Sequence, residues 1–359
     1  MAERFQTVDK AQLARRFGAA ARHYDAHARF QQEVGQALLE WMPDRLVGTE
    51  LTVSGLDLGC GTGFFLPQLA SRCHQLVGLD LAPGMLAQAA LRGSGARLLC
   101  GDAEQLPFAD NTFDWVFSSL ALQWCERPAQ AFGELLRVVK PGGQIFFSTL
   151  LDESLWQLRA AWQQLDGRAH VNRFLSLPQL EQALASAGVS APELRCITWD
   201  LAYLELPQLL RDLKGIGANQ VNDNQGSAAP AGLSGRARLQ QLTQAYEAFR
   251  QPDGRLVASY RVCSAVSASL AERRESQCVQ GSQWALPRRE PYEIILYHRH
   301  RYRCGQDAGG AHPAARIQRT GDQVRGLQAG LGRMCPHSGR AAQPGCRSVA
   351  GGGESAAAL

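Results

Sequence analysis

A glycine cluster directly after an apolar stretch constrains the fold of this chain more than any other feature of its sequence. Residues 56–63 read LDLGCGTG, so that Asp57 lies in the apolar stretch and Gly59, Gly61 and Gly63 follow it. Glycine adopts positive φ angles without strain and lets the backbone approach a ligand closely. The spacing alone is weak evidence, but between a strand and a helix it predicts a ligand site on an open α/β sheet.

Strands and helices alternate through the first 150 residues. Apolar strands are predicted within LTVSGLDLG, QLVGLDL, ARLLCGD, FDWVFSSL and QIFFSTL, with helices between them. Such alternation is typical of a parallel sheet covered by helices on both faces. We therefore predict an α/β, Rossmann-like fold with a mostly parallel seven-stranded sheet, whose last two strands lie in ELRCITWDLAYLEL and RLVASYRV.

The predicted organisation has four parts. Residues 1–50 form an N-terminal helical cap, in which 8–42 read as one helical stretch, and residues 51–150 form the cofactor-binding core. Residues 151–262 form a capping or substrate region plus the last two strands. Residues 263–359 carry 13 arginines, no lysine and seven acidic residues, without helical or strand periodicity, and are predicted to be a non-native, disordered tail.

Acidic residues stand at the ends of three successive predicted strands, at Asp57, Asp80 and Asp102. Because the carboxyl ends of parallel strands share one edge of the sheet, these carboxylates should converge on one crevice. The loop lacks the Gly-x-Gly-x-x-Gly spacing of a dinucleotide site, and an acid beside it suits a cationic ligand better than a diphosphate. We therefore predict S-adenosyl-L-methionine, with Asp80 at the ribose hydroxyls and Asp102 near the adenine amino group. Further predicted cofactor contacts are Leu81, Ala103 and Ser118.

Several segments of the chain together resemble one enzyme family. Residues 51–150 resemble the class I S-adenosylmethionine-dependent methyltransferases. A narrower resemblance, to the malonyl-[acyl-carrier protein] O-methyltransferases of biotin synthesis, covers about residues 11–262 and rests on FGAAARHYDAHARFQ, SSLALQWC, HVNRFL, LPQLEQALASAG and DLKGIGAN. It implies methyl transfer to the free carboxylate of a malonyl thioester on acyl-carrier protein, giving the ester that primes pimeloyl formation in biotin biosynthesis.

The implied reaction requires alignment of the reactants, and no general base is expected. A malonyl carboxylate is already ionised at neutral pH, and alignment can supply ~7–11 kcal/mol of the barrier. Tyr24 and Trp124 are either positioning residues or packed aromatics, and Arg173 and Lys214 are either acceptor ligands or solvated charges. The predicted positioning residues are Tyr24, Gln123, Trp124, Arg173 and Lys214, with Asn172 as a further candidate for holding the carboxylate or the thioester arm.

Composition and motifs argue against several other classes of protein. No apolar run approaches the ~18 residues of a membrane span, and no signal peptide is recognised. The cysteines lack metal-site spacing, and His23 and His27 lack a third ligand. We predict a cytoplasmic, monomeric enzyme whose partner is malonyl-acyl-carrier protein, with no metal, membrane or nucleic acid. Two alternatives stay open: a methyltransferase for a quinone or another small acid, and a non-catalytic cofactor-binding module with an RNA-binding tail.

The arginine-rich stretch Tyr297–Ala308, YHRHRYRCGQDA, is interpreted as sequence translated out of frame. One allowed coding of it, read with the first base dropped, gives Ile-Thr-Gly-Thr-Asp-Thr-Asp-Val-Gly-Lys-Thr, which resembles the phosphate-binding loop of dethiobiotin synthetase. Cys263–Leu270 likewise allows Phe-Gly-Arg-Val-Arg-Lys-Pro, which resembles the natural ending of the methyltransferase family. We therefore predict a frameshift near Val262 that carries translation into a neighbouring gene.

Overall fold

The computed structural model of the chain describes residues 4–42, 52–166, 168–189, 192–218 and 235–268, together with two short strands further on. The helices are α1 (Lys10–Ala20), α2 (Tyr24–His27), α3 (Arg29–Leu39), α4 (Leu66–Ala70), α5 (Pro83–Ala90), α6 (Pro128–Val138), α7 (Trp156–Leu165), α8 (Leu177–Ala187), α9 (Leu206–Gly215) and α10 (Gly235–Tyr246). The strands are β1 (Ser54–Leu58), β2 (Gln75–Asp80), β3 (Arg97–Cys100), β4 (Phe113–Ser119), β5 (Val139–Leu150), β6 (Glu193–Tyr203), β7 (Leu256–Ala268), β8 (Ile295–Leu296) and β9 (Ala315–Arg316).

The strands form one mixed sheet in the order β6-β7-β5-β4-β1-β2-β3-β8-β9. Strands β1 to β5 run parallel, and β7 is antiparallel to both β5 and β6. The predicted Rossmann-like, mostly parallel seven-stranded sheet is confirmed, and the two-residue strands β8 and β9 extend it beyond β3. The strand order reverses between β1 and β4, and ligands of open α/β sheets bind at the carboxyl ends of strands around such a switch point.

The central strands are buried on both faces, which explains their nearly continuous apolar sequence. Val116 belongs to the cluster that includes Leu135 of α6, whereas its neighbours Trp115 and Phe117 belong to a second cluster with Leu38 of α3. Successive strand side chains point to opposite faces, so one strand supplies both clusters. Among the described residues no helix is both long and apolar enough to cross a membrane.

The N-terminal region contains three helices where the sequence predicted one continuous helical stretch. A turn after Ala20 ends α1, and Ala28, with φ −98° and ψ 24°, separates α2 from α3. Helix α1 packs on α5 so closely that a Cβ on Gly84 would lie 2.6 Å from the Cα of Gly18. The breaks matter because they place Tyr24 and the short α2 beside the glycine loop.

Strand β7 ends at Ala268, six residues beyond the segment RLVASYRV in which the sequence predicted the last strand. Residues 262–268 pair antiparallel with residues 144–150 of β5, and the side chains of Cys263 and Ala265 are fully buried. Small residues alternating with Val266 suit a buried strand, so the packing continues past the predicted boundary. Apart from β8 and β9, residues 269–359 lie outside the described part of the chain, and so does the whole stretch Tyr297–Ala308.

Candidate active site

A cavity of about 310 Å³ lies at the carboxyl ends of the parallel strands. We call the lining from the loops after the strands the nucleotide side; it comprises Gly59, Gly61, Asp80, Leu81, Ala82, Asp102, Ala103 and Ser119. We call the lining from α7, α9 and nearby segments the acceptor side; it comprises Leu150, Leu155, Leu158, Trp162, His170, Val171, Asn172, Phe174, Leu210, Leu213, Ile216 and Tyr260. A smaller cavity of about 60 Å³, lined by Asp57 and Thr62 among others, shares Gly59 and Gly61 with it.

The three loop glycines have separate roles, although all three have positive φ. A Cβ on Gly59 would lie 2.3 Å from the Cβ of Ala121, so the packing leaves no room for a side chain at this position. A Cβ on Gly61 would meet no described protein atom within 4 Å, and this glycine lines the cavity. Gly63 does not line it, because it packs against Ala89 of α5. Only Gly59 and Gly61 are therefore placed to let a ligand approach the backbone.

Two carboxylates lie beside this loop, Asp57 buried and Asp80 half-buried. Asp80 accepts hydrogen bonds from the backbone N–H groups of Gly61 (2.9 Å) and Ala82 (2.7 Å). Burial nevertheless raises the pKa of Asp80 to about 6, and burial together with the charge of Asp80 raises the pKa of Asp57 to about 8. Neighbouring buried acids resist ionisation until a cation balances them, so this pair favours a positively charged ligand.

Asp102 is held by a buried lysine from the N-terminal cap. Lys10 contacts Asp102 at 2.5 Å and Glu104 at 3.0 Å, and its side chain is 7% exposed. Burial acts to lower the pKa of Lys10, but its two carboxylate partners outweigh burial and raise that pKa. Asp102 lies on the cavity wall as predicted, yet one of its oxygens is shared with α1. The cap is therefore tied directly to the predicted adenine end.

The assignment of Ser118 to the cofactor is not supported by its placement. Ser118 is fully buried, and its hydroxyl donates to the carbonyl of Leu58 across the β1–β4 pair at 3.0 Å. The next residue, Ser119, lines the cavity instead. Residues one apart on a strand face opposite sides, so an error of one position exchanges a ligand contact for a structural one.

Two of the predicted positioning residues are aromatic, Tyr24 in the cap and Trp124 after β4. Tyr24 lines both cavities, and burial together with Asp80 and Asp25 raises the pKa of its phenol. Trp124 lines the main cavity and packs edge-on against Phe17 of α1, with ring centroids 5.4 Å apart.

Two polar groups secure this region. Gln123 donates to the carbonyl of Leu120 at 2.6 Å, while its buried Oε1 has no hydrogen-bond partner among the described residues. Thr62 donates to Asp25 of α2 at 2.6 Å, and Arg92 pairs with the same carboxylate. The short α2 is thereby fastened to the glycine loop.

A histidine–aspartate pair, which the sequence analysis missed, lies on the acceptor side. His170 Nε2 lies 2.9 Å from Asp166 Oδ1, and the imidazole stacks on Trp162 with centroids 3.8 Å apart. Arg238 of α10 also pairs with Asp166 and lies over the face of Trp162. The only available sequence signal was the spacing of the two residues beside HVNRFL; their contact with α10, 68 residues away from His170, has no local signature.

Comparison with known proteins identifies the family. Residues 56–147 match the family described as Methyltransferase domain. The malonyl-[acyl-carrier protein] O-methyltransferase of Erwinia pyrifoliae is 43% identical over 261 residues, which cover 73% of this chain and 94% of that protein. This chain belongs to the malonyl-[acyl-carrier protein] O-methyltransferase family.

Two further comparisons give the extent of the likeness. The biotin biosynthesis bifunctional protein BioHC of Cellvibrio japonicus is 45% identical over 256 residues, or 71% of this chain, and the match spans 49% of that longer protein. A solved structure of phosphoethanolamine N-methyltransferase 2 of Haemonchus contortus with S-adenosyl-L-methionine is 19% identical, with a TM-score of 0.40, over 66% of this chain and 52% of that one.

As a member of this methyltransferase family, the chain is an S-adenosyl-L-methionine-dependent enzyme, and the donor set of its nucleotide side fits that cofactor. The acids Asp57 and Asp80 suit a ligand that carries a sulfonium and an ammonium. Gly61 leaves its backbone open to the cavity, and Leu81 and Ala103, which directly follow Asp80 and Asp102 in the chain, also line its wall. Most of the predicted cofactor residues are thus brought together on the nucleotide side, whereas Asp57 lines only the smaller cavity and Ser118 and Gly63 line neither.

The two basic residues predicted to hold the acceptor do not line this methyltransferase's cavity. Arg173 is exposed and its guanidinium lies over the ring of Phe5, while its neighbours Asn172 and Phe174 are buried on the wall. Lys214 is exposed on α9, whose inward face is apolar. Their placement therefore does not support direct contact with an acceptor inside the cavity, and it leaves both available on the exterior.

Proposed function

We propose that this enzyme methylates the free carboxylate of malonyl-acyl-carrier protein, giving the methyl ester for biotin biosynthesis. The observation that carries the proposal is the similarity to the Erwinia pyrifoliae methyltransferase along 94% of that protein's length. The acceptor side adds physical support, because its lining is largely apolar. Esterification converts an anion into a group that such a wall tolerates, and the neutral product can then be elongated as an ordinary acyl chain.

The chain's own residues bind, orient and exclude water. When bound, S-adenosyl-L-methionine supplies an electrophilic methyl group on its sulfonium. Asp57 and Asp80 offer negative charge to that cation, and Asp102 lies where the adenine is expected. Tyr24 and Trp124, both half-buried, line the cap side of the cavity, where they would limit the access of water to the nucleophile. The acceptor carboxylate is already ionised, so its oxygen can attack once it is aligned, without a general base.

The proposed acceptor is tested by transfer of a labelled methyl group. Malonyl-acyl-carrier protein should be methylated, whereas the succinyl and acetyl forms should react poorly or not at all. Malonyl-coenzyme A and a quinone should be assayed beside them, because a methyltransferase for a quinone or another small acid is the alternative. Faster methylation of the quinone than of malonyl-acyl-carrier protein would contradict the proposal.

The alternative of a non-catalytic module with an RNA-binding tail concerns residues outside the described part of the chain. RNA retention at two salt concentrations tests it, because phosphate contacts weaken steeply as salt is raised. Retention of RNA without methyl transfer to any acceptor would favour that alternative. The cytoplasmic location, the monomeric state and the out-of-frame origin of residues 263–359 stay predictions from the sequence.

A further inference from the structure

The acceptor side of the cavity contains very little positive charge. Among the described residues that line the whole cavity, only Lys10 and His170 can be cationic. Lys10 is committed to Asp102 and Glu104 at the nucleotide side. His170 is consequently the one lining cation left for an anionic acceptor within the described residues.

The acidic residues of the cavity oppose the binding of an anionic acceptor, so a cation is needed on the acceptor side. The wall of the cavity contains the carboxylates of Asp80 and Asp102, and negative charge in a site repels an entering carboxylate. The cofactor's sulfonium attracts the acceptor oxygen that it alkylates, but the apolar wall beyond offers little else. An acceptor carboxylate needs a charged hydrogen-bond partner on the acceptor side to offset its loss of water.

His170 is oriented for this task by three groups from two helices and a loop. Its Nε2 faces Asp166, at 2.9 and 3.0 Å from the two oxygens, so Nε2 is the nitrogen that donates to the carboxylate. Its ring stacks on Trp162, and Arg238 braces the other side of Asp166. Among the described residues Nδ1 has no hydrogen-bond partner, which leaves that nitrogen for a ligand.

Asp166 is an ionised partner. Burial acts to raise the pKa of Asp166, but the Arg168 N–H, His170 and Arg238 outweigh it and hold that pKa below its usual range. An imidazole that donates from Nε2 to Asp166 and carries a proton on Nδ1 as well would have that second N–H free to donate to an anion.

We propose that His170, oriented by Asp166 and Trp162, binds the free carboxylate of the acceptor and selects it by its charge. This inference rests on the proposed function and names the residue that recognises the carboxylate. It also gives a reason for product release. Methylation removes the negative charge of the carboxylate. The neutral ester cannot form the ion pair with His170, so it binds the acceptor side more weakly and dissociates.

The test compares two ligands that differ by one methyl group: a malonyl thioester of N-acetylcysteamine and its methyl ester. Their dissociation constants are measured by calorimetry with S-adenosylhomocysteine present, so that no turnover occurs. The ratio of the two constants is the charge discrimination. In the wild-type enzyme the anion should bind about 10- to 100-fold tighter, the range for a hydrogen bond between charged groups.

His170→Gln keeps a side-chain N–H donor for Asp166 but removes the charge, and it should bring the ratio close to one. His27→Gln is the matched control, because His27 also pairs with an aspartate, Asp212 at 2.9 Å, but does not line the cavity. The control should keep the wild-type ratio. If His170→Gln also keeps it, His170 does not recognise the carboxylate and the inference is overturned.

A measurement on the wild-type enzyme covers the case in which His170→Gln does not fold. Diethylpyrocarbonate labelling of His170, quantified by peptide mass, should be slowed by a saturating anionic thioester more than by a saturating methyl ester. Equal protection by the two ligands overturns the inference. The proposed function fails separately, and visibly, if the wild-type enzyme transfers no methyl group to malonyl-acyl-carrier protein.

Discussion

Replacing the buried Asp57 with asparagine should stabilise the cofactor-free enzyme while weakening its cofactor site. The pKa of Asp57 is raised from 3.8 to about 8 by burial and by Asp80. Between these values the folded protein retains a proton that the unfolded chain has lost. Its stability therefore falls as pH rises from about 4 to about 8. Asparagine, which has nearly the same shape and does not titrate, escapes this loss.

The size of the effect follows from the same shift. At pH 7 about three pH units separate the medium from the unfolded pKa, and at ~1.4 kcal/mol per unit Asp57→Asn should add about 4 kcal/mol to the free energy of unfolding. Near pH 4 the wild-type carboxyl is protonated in the folded state and still about 40% protonated in the unfolded state. The difference between variant and wild type should therefore be close to zero there and reach its maximum near pH 8.

Urea denaturation of the full chain without cofactor, repeated between pH 4.5 and 8.5, measures this difference. Asp110→Asn is the control, because that side chain is 67% exposed and should give a small difference that barely changes with pH. Two parallel curves for Asp57→Asn and wild type would refute the reasoning, since they would show that Asp57 titrates alike in both states. The affinity for the cofactor should change in the opposite direction to the stability: Asp57→Asn should bind S-adenosyl-L-methionine more weakly than wild type.

Three further predictions follow from the same site and strand. Binding of S-adenosyl-L-methionine at pH 7 should release up to one proton from Asp57, because the cation favours the ionised form of this carboxyl group. Calorimetry in two buffers of different ionisation enthalpy measures the proton release, and identical binding heats in the two buffers would contradict the prediction. Lys10→Met should lower the free energy of unfolding by about 3–5 kcal/mol, because it leaves two carboxylates without their buried partner; an unchanged urea midpoint would show that the pair is solvated. A chain stopped after Val262 should melt lower than one stopped after Ala268, because it loses several ladder hydrogen bonds worth ~1 kcal/mol each; equal melting temperatures would mean that the last part of β7 adds nothing.

The sequence was most informative where residues with the relevant chemistry stand at the ends of successive strands. The glycine loop and the acids at strand ends predicted the sheet, the crevice and a cationic cofactor, because parallel strands bring their carboxyl ends to one edge whatever the rest of the chain does. Asp57, Asp80 and Asp102 needed no long-range contact to be found. The same local reasoning was wrong by one residue at Ser118, since a strand buried on both faces carries no polar alternation to mark the ligand side.

The sequence by itself therefore determined the Rossmann-like sheet, the methyltransferase family and the nucleotide side of the cavity. Only the tertiary structure decided that Arg173 and Lys214 face outwards, and that His170, Asp166 and Arg238 meet on the acceptor side. The physical reason is separation along the chain: α7 and α10 contribute to one cluster, and no local pattern records which faces of two distant helices will pack together. Charge alone did not predict which basic residues line the cavity, because a basic residue type does not specify whether its side chain lies in the cavity or in solvent.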